Sequence, residues 1–131
     1  ASAASHGYKR RPQPGPKLVQ LVEAGILAGP EVTGAILEYT TDMVQAGADT
    51  LILGCTHYPF LKSAIEKTIP NHIQLIDTGP AVARRVSGHH PSKDADPQIH
   101  LHTTGPMIEL RRLLPLLCPT PTASCHSFPL S

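Results

Sequence analysis

Thr50 to Leu53 is an unbroken β-branched and aliphatic run closed by Gly54. Such a run suits a strand buried on both faces, as strands of parallel sheets are. The flanking residues set its neighbours. Ahead of it, Val32, Ala35, Ile36, Tyr39, Met43 and Val44 approximate a helical period. This spacing predicts an amphipathic helix over Glu31 to Gln45, with Gly47 as its C-terminal cap. Behind it, Tyr58-Pro59-Phe60 opens a second helix, with Pro59 near the first helical position, where its missing N–H is tolerated. That helix runs to about Thr68 and stops at Pro70. Ile73 to Ile76 is the next strand, ended by Asp77-Thr78-Gly79.

The remainder continues the alternation. Leu18 to Ala24 is a short apolar segment closed by Gly25, and Pro80 to Val86 a short helix. Ser87 to Pro97 is polar and reads as a loop, Ile99 to Thr103 as a strand and Met107 to Leu117 as a helix. Helices alternating with strands predict an α/β fold, here a partial three-layer domain with a mainly parallel sheet. Three strands make that sheet thin. Residues 1–17 read as a disordered or unmatched arm, 18–117 as the α/β region and 118–131 as a Pro/Ser-rich tail without pattern. The chain opens on Ala rather than Met, which points to a processed or incomplete chain.

Composition narrows the function classes. The 131 residues fit one domain. Eleven Lys and Arg nearly cancel ten Asp and Glu, which argues against an electrostatic nucleic-acid partner. No apolar run approaches the roughly 18 residues of a membrane span. Three cysteines without a Cys-x-x-Cys pair argue against a disulfide framework or structural zinc, and favour a reduced, cytoplasmic compartment. His89-His90 fall in a loop, and His100 and His102 share one face of a strand. No Cys or carboxylate completes a ligand set, so no metal is expected.

In open α/β sheets, ligands bind beyond the carboxyl ends of the strands. Cys55, Thr56 and His57 stand there after the first strand, and Asp77 after the second. A thiol facing a helix N-terminus is biased towards thiolate, and an adjacent imidazole can exchange a proton with it. The same residues also admit a plainer reading. Cys55 could be a buried structural cysteine, Thr56 a helix cap, His57 a hydrogen-bonder at a helix end and Asp77 a turn residue.

The segment Gly47 to Leu61, GADTLILGCTHYPFL, closely resembles the second active-site motif of the aspartate/glutamate racemase family, in particular its glutamate-specific branch. Leu18 to Gly25, LVQLVEAG, is similar to the family's L-V-P-L-V-E-x-G segment. Gln20 stands where Pro is usual, and Gly15-Pro16 where Cys-Pro is usual. IQLIDTGPAVARRV is similar to the family's strand, turn and helix. Thr103-Thr104-Gly105 is similar to its C-terminal T-T-G segment, with Pro106-Met107 in place of Asp-Pro. The resemblance covers about Pro16 to Leu117.

It implies a cofactor-independent racemase that interconverts L- and D-glutamate and supplies D-glutamate for peptidoglycan. Inversion at Cα needs a base on one face and an acid on the other, which two cysteines can supply. By position, Cys55 matches the second of these cysteines. Thr56 matches a residue that hydrogen-bonds substrate, and His57 one that assists proton transfer at Cys55. Glu23 matches a carboxylate supporting that side of the site, though alone it would read as an ordinary exposed carboxylate. The family's first-domain D-S-G and C-N-T motifs are not found in these 131 residues. Cys118 and Cys125 do not sit beside Asn-Thr. The resemblance is therefore to the C-terminal half of the two-domain enzyme, and the isolated chain is expected not to racemise. Its apolar faces at Ile99, Leu101 and Leu110 to Leu117 would lack their usual cover, implying marginal stability, a missing N-terminal half-domain or self-association. Two other readings stand beside this one. The first is a non-catalytic half-domain that binds an acidic amino acid or a partner. The second is an acyl-transferring Cys enzyme, which would need a third residue to orient His57, and none is identifiable from sequence.

Overall fold

The computed structural model describes residues 11–88, 99–118 and 123–128. It divides into two units, Ala1–Arg84 and Arg85–Ser131. The first contains α1 (Pro16–Glu23), α2 (Pro30–Gln45), β1 (Thr50–Leu53), a 3₁₀ turn (Tyr58–Leu61), α3 (Lys62–Thr68) and β2 (Gln74–Asp77). Helix α4 (Gly79–Ser87) starts in this unit and crosses the division. β1 and β2 pair in parallel, Thr50 with Gln74 through Leu53 with Asp77, and the 3₁₀ turn and α3 form the crossover.

Apolar spacing decides what faces the core. Leu18, Leu21 and Val22 of α1 recur at i, i+3 and i+4, as do Val32, Ala35 and Ile36 of α2, and all six are buried. Leu51 and Leu53 of β1 join them, with Leu61, Ile65, Ile69 and Ile73 from the crossover. Ile36, Leu61 and Val32 are the largest fully buried side chains.

β1 is nonetheless buried on one face only, contrary to the expectation from its unbroken apolar run. Leu51 and Leu53 point inward, whereas Ile52 between them is 61% exposed. Successive strand side chains point to opposite faces, and within this unit α1, α2 and α3 cover one of them.

The two helices before β1 end alike. Gly25 and Gly47 have φ of +76° and +84°. The N–H groups of Gly25 and Ile26 donate to the carbonyls of Val22 and Leu21, and those of Gly47 and Ala48 to Val44 and Met43. These are Schellman caps, which need a left-handed residue just past the helix. α1 consequently stops at Glu23 and α2 at Gln45. α1 includes Pro16 and Lys17, which the sequence reading assigned to the arm.

The second unit holds β3 (Ile99–Thr103), α5 (Met107–Leu117) and β4 (Ala123–Ser127). β3 and β4 are parallel, Ile99 with Ala123 through Thr103 with Ser127. β4 corrects the expectation of a patternless tail: its strand is held by backbone pairing and carries no apolar alternation to reveal it. The strands thus form two separate pairs rather than one three-stranded sheet, while both pairs are parallel as expected. No described residue after Ile73 is buried. Residues 89–98, including His89 and His90, lie outside the described residues.

Candidate active site

The site is built at the carboxyl end of β1. Gly54 ends the strand, and Cys55, Thr56 and His57 turn the chain into the 3₁₀ segment that begins at Tyr58. The turn closes through the Tyr58 N–H on the Cys55 carbonyl at 3.3 Å and the Phe60 N–H on that of His57 at 3.2 Å. Cys55 and His57 are half-buried and Thr56 is exposed. Glu23 reaches the turn from the last residue of α1.

These four residues converge. His57 Nε2 lies 2.6 Å from Glu23 Oε1, and its other ring nitrogen, Nδ1, lies 3.7 Å from Cys55 Sγ. Thr56 Oγ1 is 3.5 Å from the same Nδ1. Nε2–H donating to the carboxylate leaves Nδ1 as the acceptor for the thiol proton. Glu23, 34 positions away in sequence, therefore fixes which tautomer faces Cys55.

The electrostatics follow from these contacts. The Cys55 thiol is held below its ordinary value of 9.0, chiefly because the His57 backbone N–H donates to sulfur. Desolvation opposes this, and the His57 ring and the Tyr58 N–H assist it. His57 is raised above 6.5, chiefly by its hydrogen bond to Glu23, with desolvation opposing and Cys55 adding to the rise. The pair is thus biased towards thiolate and imidazolium. A thiolate of this kind can remove a proton and, once protonated, return one.

The third residue needed to orient His57, which the sequence did not identify for a Cys–His enzyme, is present as Glu23. Asp77 behaves as a turn residue: its Oδ1 accepts the Gly79 N–H at 2.9 Å, where α4 begins. Cys118 caps the C-terminal end of α5, and Cys125 lies in β4. His100 and His102 do share a face of β3, and His126 of β4 joins them. His100 Nδ1 is 3.2 Å from His126 Nε2, and Ser124 Oγ lies within hydrogen-bond reach of both. Among the described residues no group of three or more His, Cys, Asp or Glu is placed to hold a metal. None of their helices is long and apolar enough to cross a membrane. An open surface depression of about 420 Å³ lies beside Gln20 and Tyr39, on α1 and α2, and none of Cys55, Thr56 and His57 lines it.

The family model for Asp/Glu/hydantoin racemases matches residues 1–86. The chain belongs to this family. Glutamate racemase of Stutzerimonas stutzeri is 38% identical over 109 residues, covering 80% of this chain and 41% of the relative. That of Ectopseudomonas mendocina is 41% identical over 110 residues, covering 80% and 42%. Among solved structures, glutamate racemase from Thermus thermophilus, in complex with β-chloro-D-alanine, superposes with a TM-score of 0.65 at 31% identity. It covers 89% of this chain and 46% of that one. Glutamate racemase from Francisella tularensis, in complex with D-glutamate, shares the fold at a TM-score of 0.65 and 24% identity, covering 87% and 44%. The chain spans about two fifths of the length of these curated relatives.

Proposed function

We propose that this chain carries one of the two acid/base half-sites of a glutamate racemase. The observation that supports this most is the line Cys55–His57–Glu23, assembled at a strand's carboxyl end from two distant segments. In this reading the Cys55 thiolate removes the Cα proton of glutamate from one face, and an acid on the opposite face returns a proton to the carbanion. In the reverse direction Cys55 is the donor. His57, held by Glu23, relays a proton to and from Cys55. Thr56 hydrogen-bonds the substrate and, with the turn's N–H groups, stabilises negative charge developing on its carboxylate. No organic cofactor or metal takes part, since sulfur performs both transfers.

The glutamate racemase relatives support L- and D-glutamate as the substrate; in this reading the enzyme is cytoplasmic and feeds D-glutamate to peptidoglycan. The second thiol is not among these residues beside an Asn-Thr pair. Alone, then, the chain does not invert glutamate; residues 18–117 act with an N-terminal half-domain that supplies the opposite face. Neither nucleic acid nor a membrane is required.

Proton NMR in D₂O tests this. The chain is incubated with L- or D-glutamate, alone and with the N-terminal half-domain of a glutamate racemase. Loss of the Cα–H signal with formation of the other enantiomer is expected only in the mixture, and not with Cys55→Ser. Inversion by the chain alone, or undiminished inversion by a Cys55→Ser mixture, would refute the assignment. The geometry also suits acyl transfer by a Cys–His–Glu triad. Accumulation of an acyl group on Cys55 from an activated ester, without any Cα exchange in the mixture, would favour that chemistry instead.

A further inference from the structure

We propose that the Tyr58 hydroxyl is a positioning group for the site: it pins the start of α1 so that Glu23, at the other end, meets His57. This rests on the proton-relay reading above and deepens it. Three observations carry it.

The first is where the cap of α1 comes from. Gly15, at its N-cap, offers no side chain, and the helix has no side-chain cap of its own. Pro16 has no N–H. The Gly15 N–H is bonded instead by Tyr58 Oη at 3.0 Å, across 43 positions of sequence. The Lys17 N–H points at Tyr39 Oη of α2 at 3.4 Å. Donors that a helix start normally satisfies locally are therefore satisfied by neighbouring elements, and the stronger contact comes from the residue next to His57.

The second is that α1 meets the same two-residue segment at both ends. Its N-cap touches Tyr58, and its final residue, Glu23, touches His57 at 2.6 Å. The Schellman cap at Gly25 fixes where the helix stops. A hydrogen bond weakens within a few tenths of an ångström of elongation. Any slide of this eight-residue helix along its axis therefore weakens the Glu23–His57 contact.

The third is steric. A Cβ at residue 15 would lie 2.9 Å from Tyr58 Oη and 3.2 Å from Leu18 Cδ1. The φ of Gly15 is −126°, which any residue adopts. A side chain at residue 15 therefore requires the hydroxyl to shift.

The test uses the full chain. The His57 imidazole titration is followed by ¹H–¹⁵N NMR, and Cys55 alkylation by iodoacetamide is followed against pH. Each variant's amide spectrum reports whether it is folded. Glu23→Gln lowers the His57 midpoint. Tyr58→Phe, still folded, lowers it in the same direction, and Glu23→Gln added to Tyr58→Phe lowers it by less than Glu23→Gln alone. Gly15→Ala reproduces the Tyr58→Phe effect by displacing the hydroxyl, and has a smaller effect in the Tyr58→Phe background, where there is no oxygen to displace. A folded Tyr58→Phe with a wild-type midpoint overturns the proposal while leaving the relay intact. A wild-type midpoint in Glu23→Gln overturns the relay itself. Should Tyr58→Phe not fold, Gly15→Ala decides: an unchanged midpoint overturns the pin.

Discussion

Residues 50–77 and residues 99–127 have the same connectivity, two parallel strands joined through a helical crossover. The first pair lies on a core of twelve buried apolar residues, while the second unit has none among its described residues. Half of that core lies outside the strand–helix–strand segment. Six of the twelve come from α1 and α2, which precede β1 and lay two apolar stripes beside the crossover. Among its described residues the second unit has α5, interrupted by Pro115, beside the end of α4, and Ile108, Leu116, Leu117 and Phe128 are exposed. As described, α5 on β3 and β4 leaves no side chain buried.

The largest effect that could break this comparison is in the core. Ile36→Ala should lower stability by about 2–5 kcal/mol, because it removes a fully buried side chain and leaves a cavity. Ile108→Ala, at a position 71% exposed, should stay within about 0.5 kcal/mol. Urea unfolding followed by circular dichroism compares the two, and equal losses would mean that both units are cored.

Next comes Pro115. In α5 it cannot donate to the carbonyl four residues back. Pro115→Ala should slow amide exchange in α5 by a free energy of about 1–3 kcal/mol, with α2 unchanged. Slowed exchange in both helices would show that the units unfold together.

A smaller effect belongs to the relay. The folded state raises His57 above its ordinary value through the Glu23 contact. The protonated ring is the one the fold favours, so its contribution is complete below the unfolded-state value near 6.5 and disappears as pH rises through the higher folded value. Glu23 is 57% exposed, which limits the contribution to about 0–1 kcal/mol. Glu23→Gln should therefore cost stability near pH 6 and nothing by pH 9. A loss of constant size across that range would mean that Glu23 acts by packing.

Least of all should follow from Ile52→Thr, which keeps a β-branched residue on the exposed face of β1. A change within about 0.5 kcal/mol is expected from denaturant unfolding. A loss beyond 2 kcal/mol would show that this face is covered in solution.

Much of the chemistry was legible before the fold. The Gly-Cys-Thr-His run names its own place, since a glycine ending an apolar strand puts the next residues at the strand's carboxyl end. Glu23 alone was not legible as a partner of His57; only the resemblance singled it out, because nothing local to α1 says that its last residue meets a turn 34 positions away. Tyr58 was passed over as a helix-starting residue, although its hydroxyl reaches Gly15. Nothing local to Tyr58 points to a partner 43 positions away.

By itself the sequence determined the local elements: the helical stripe of α2, the glycines that close α1 and α2, the run of β1 and the turn that carries Cys55. These follow from spacing and from backbone freedom at single residues. Tertiary structure alone decided that β1 has an exposed face, that Ala123–Ser127 pairs with β3, and that His57 and Tyr58 meet opposite ends of one helix. Burial, strand pairing and long-range hydrogen bonds depend on which elements pack together. No property of a single segment contains that information.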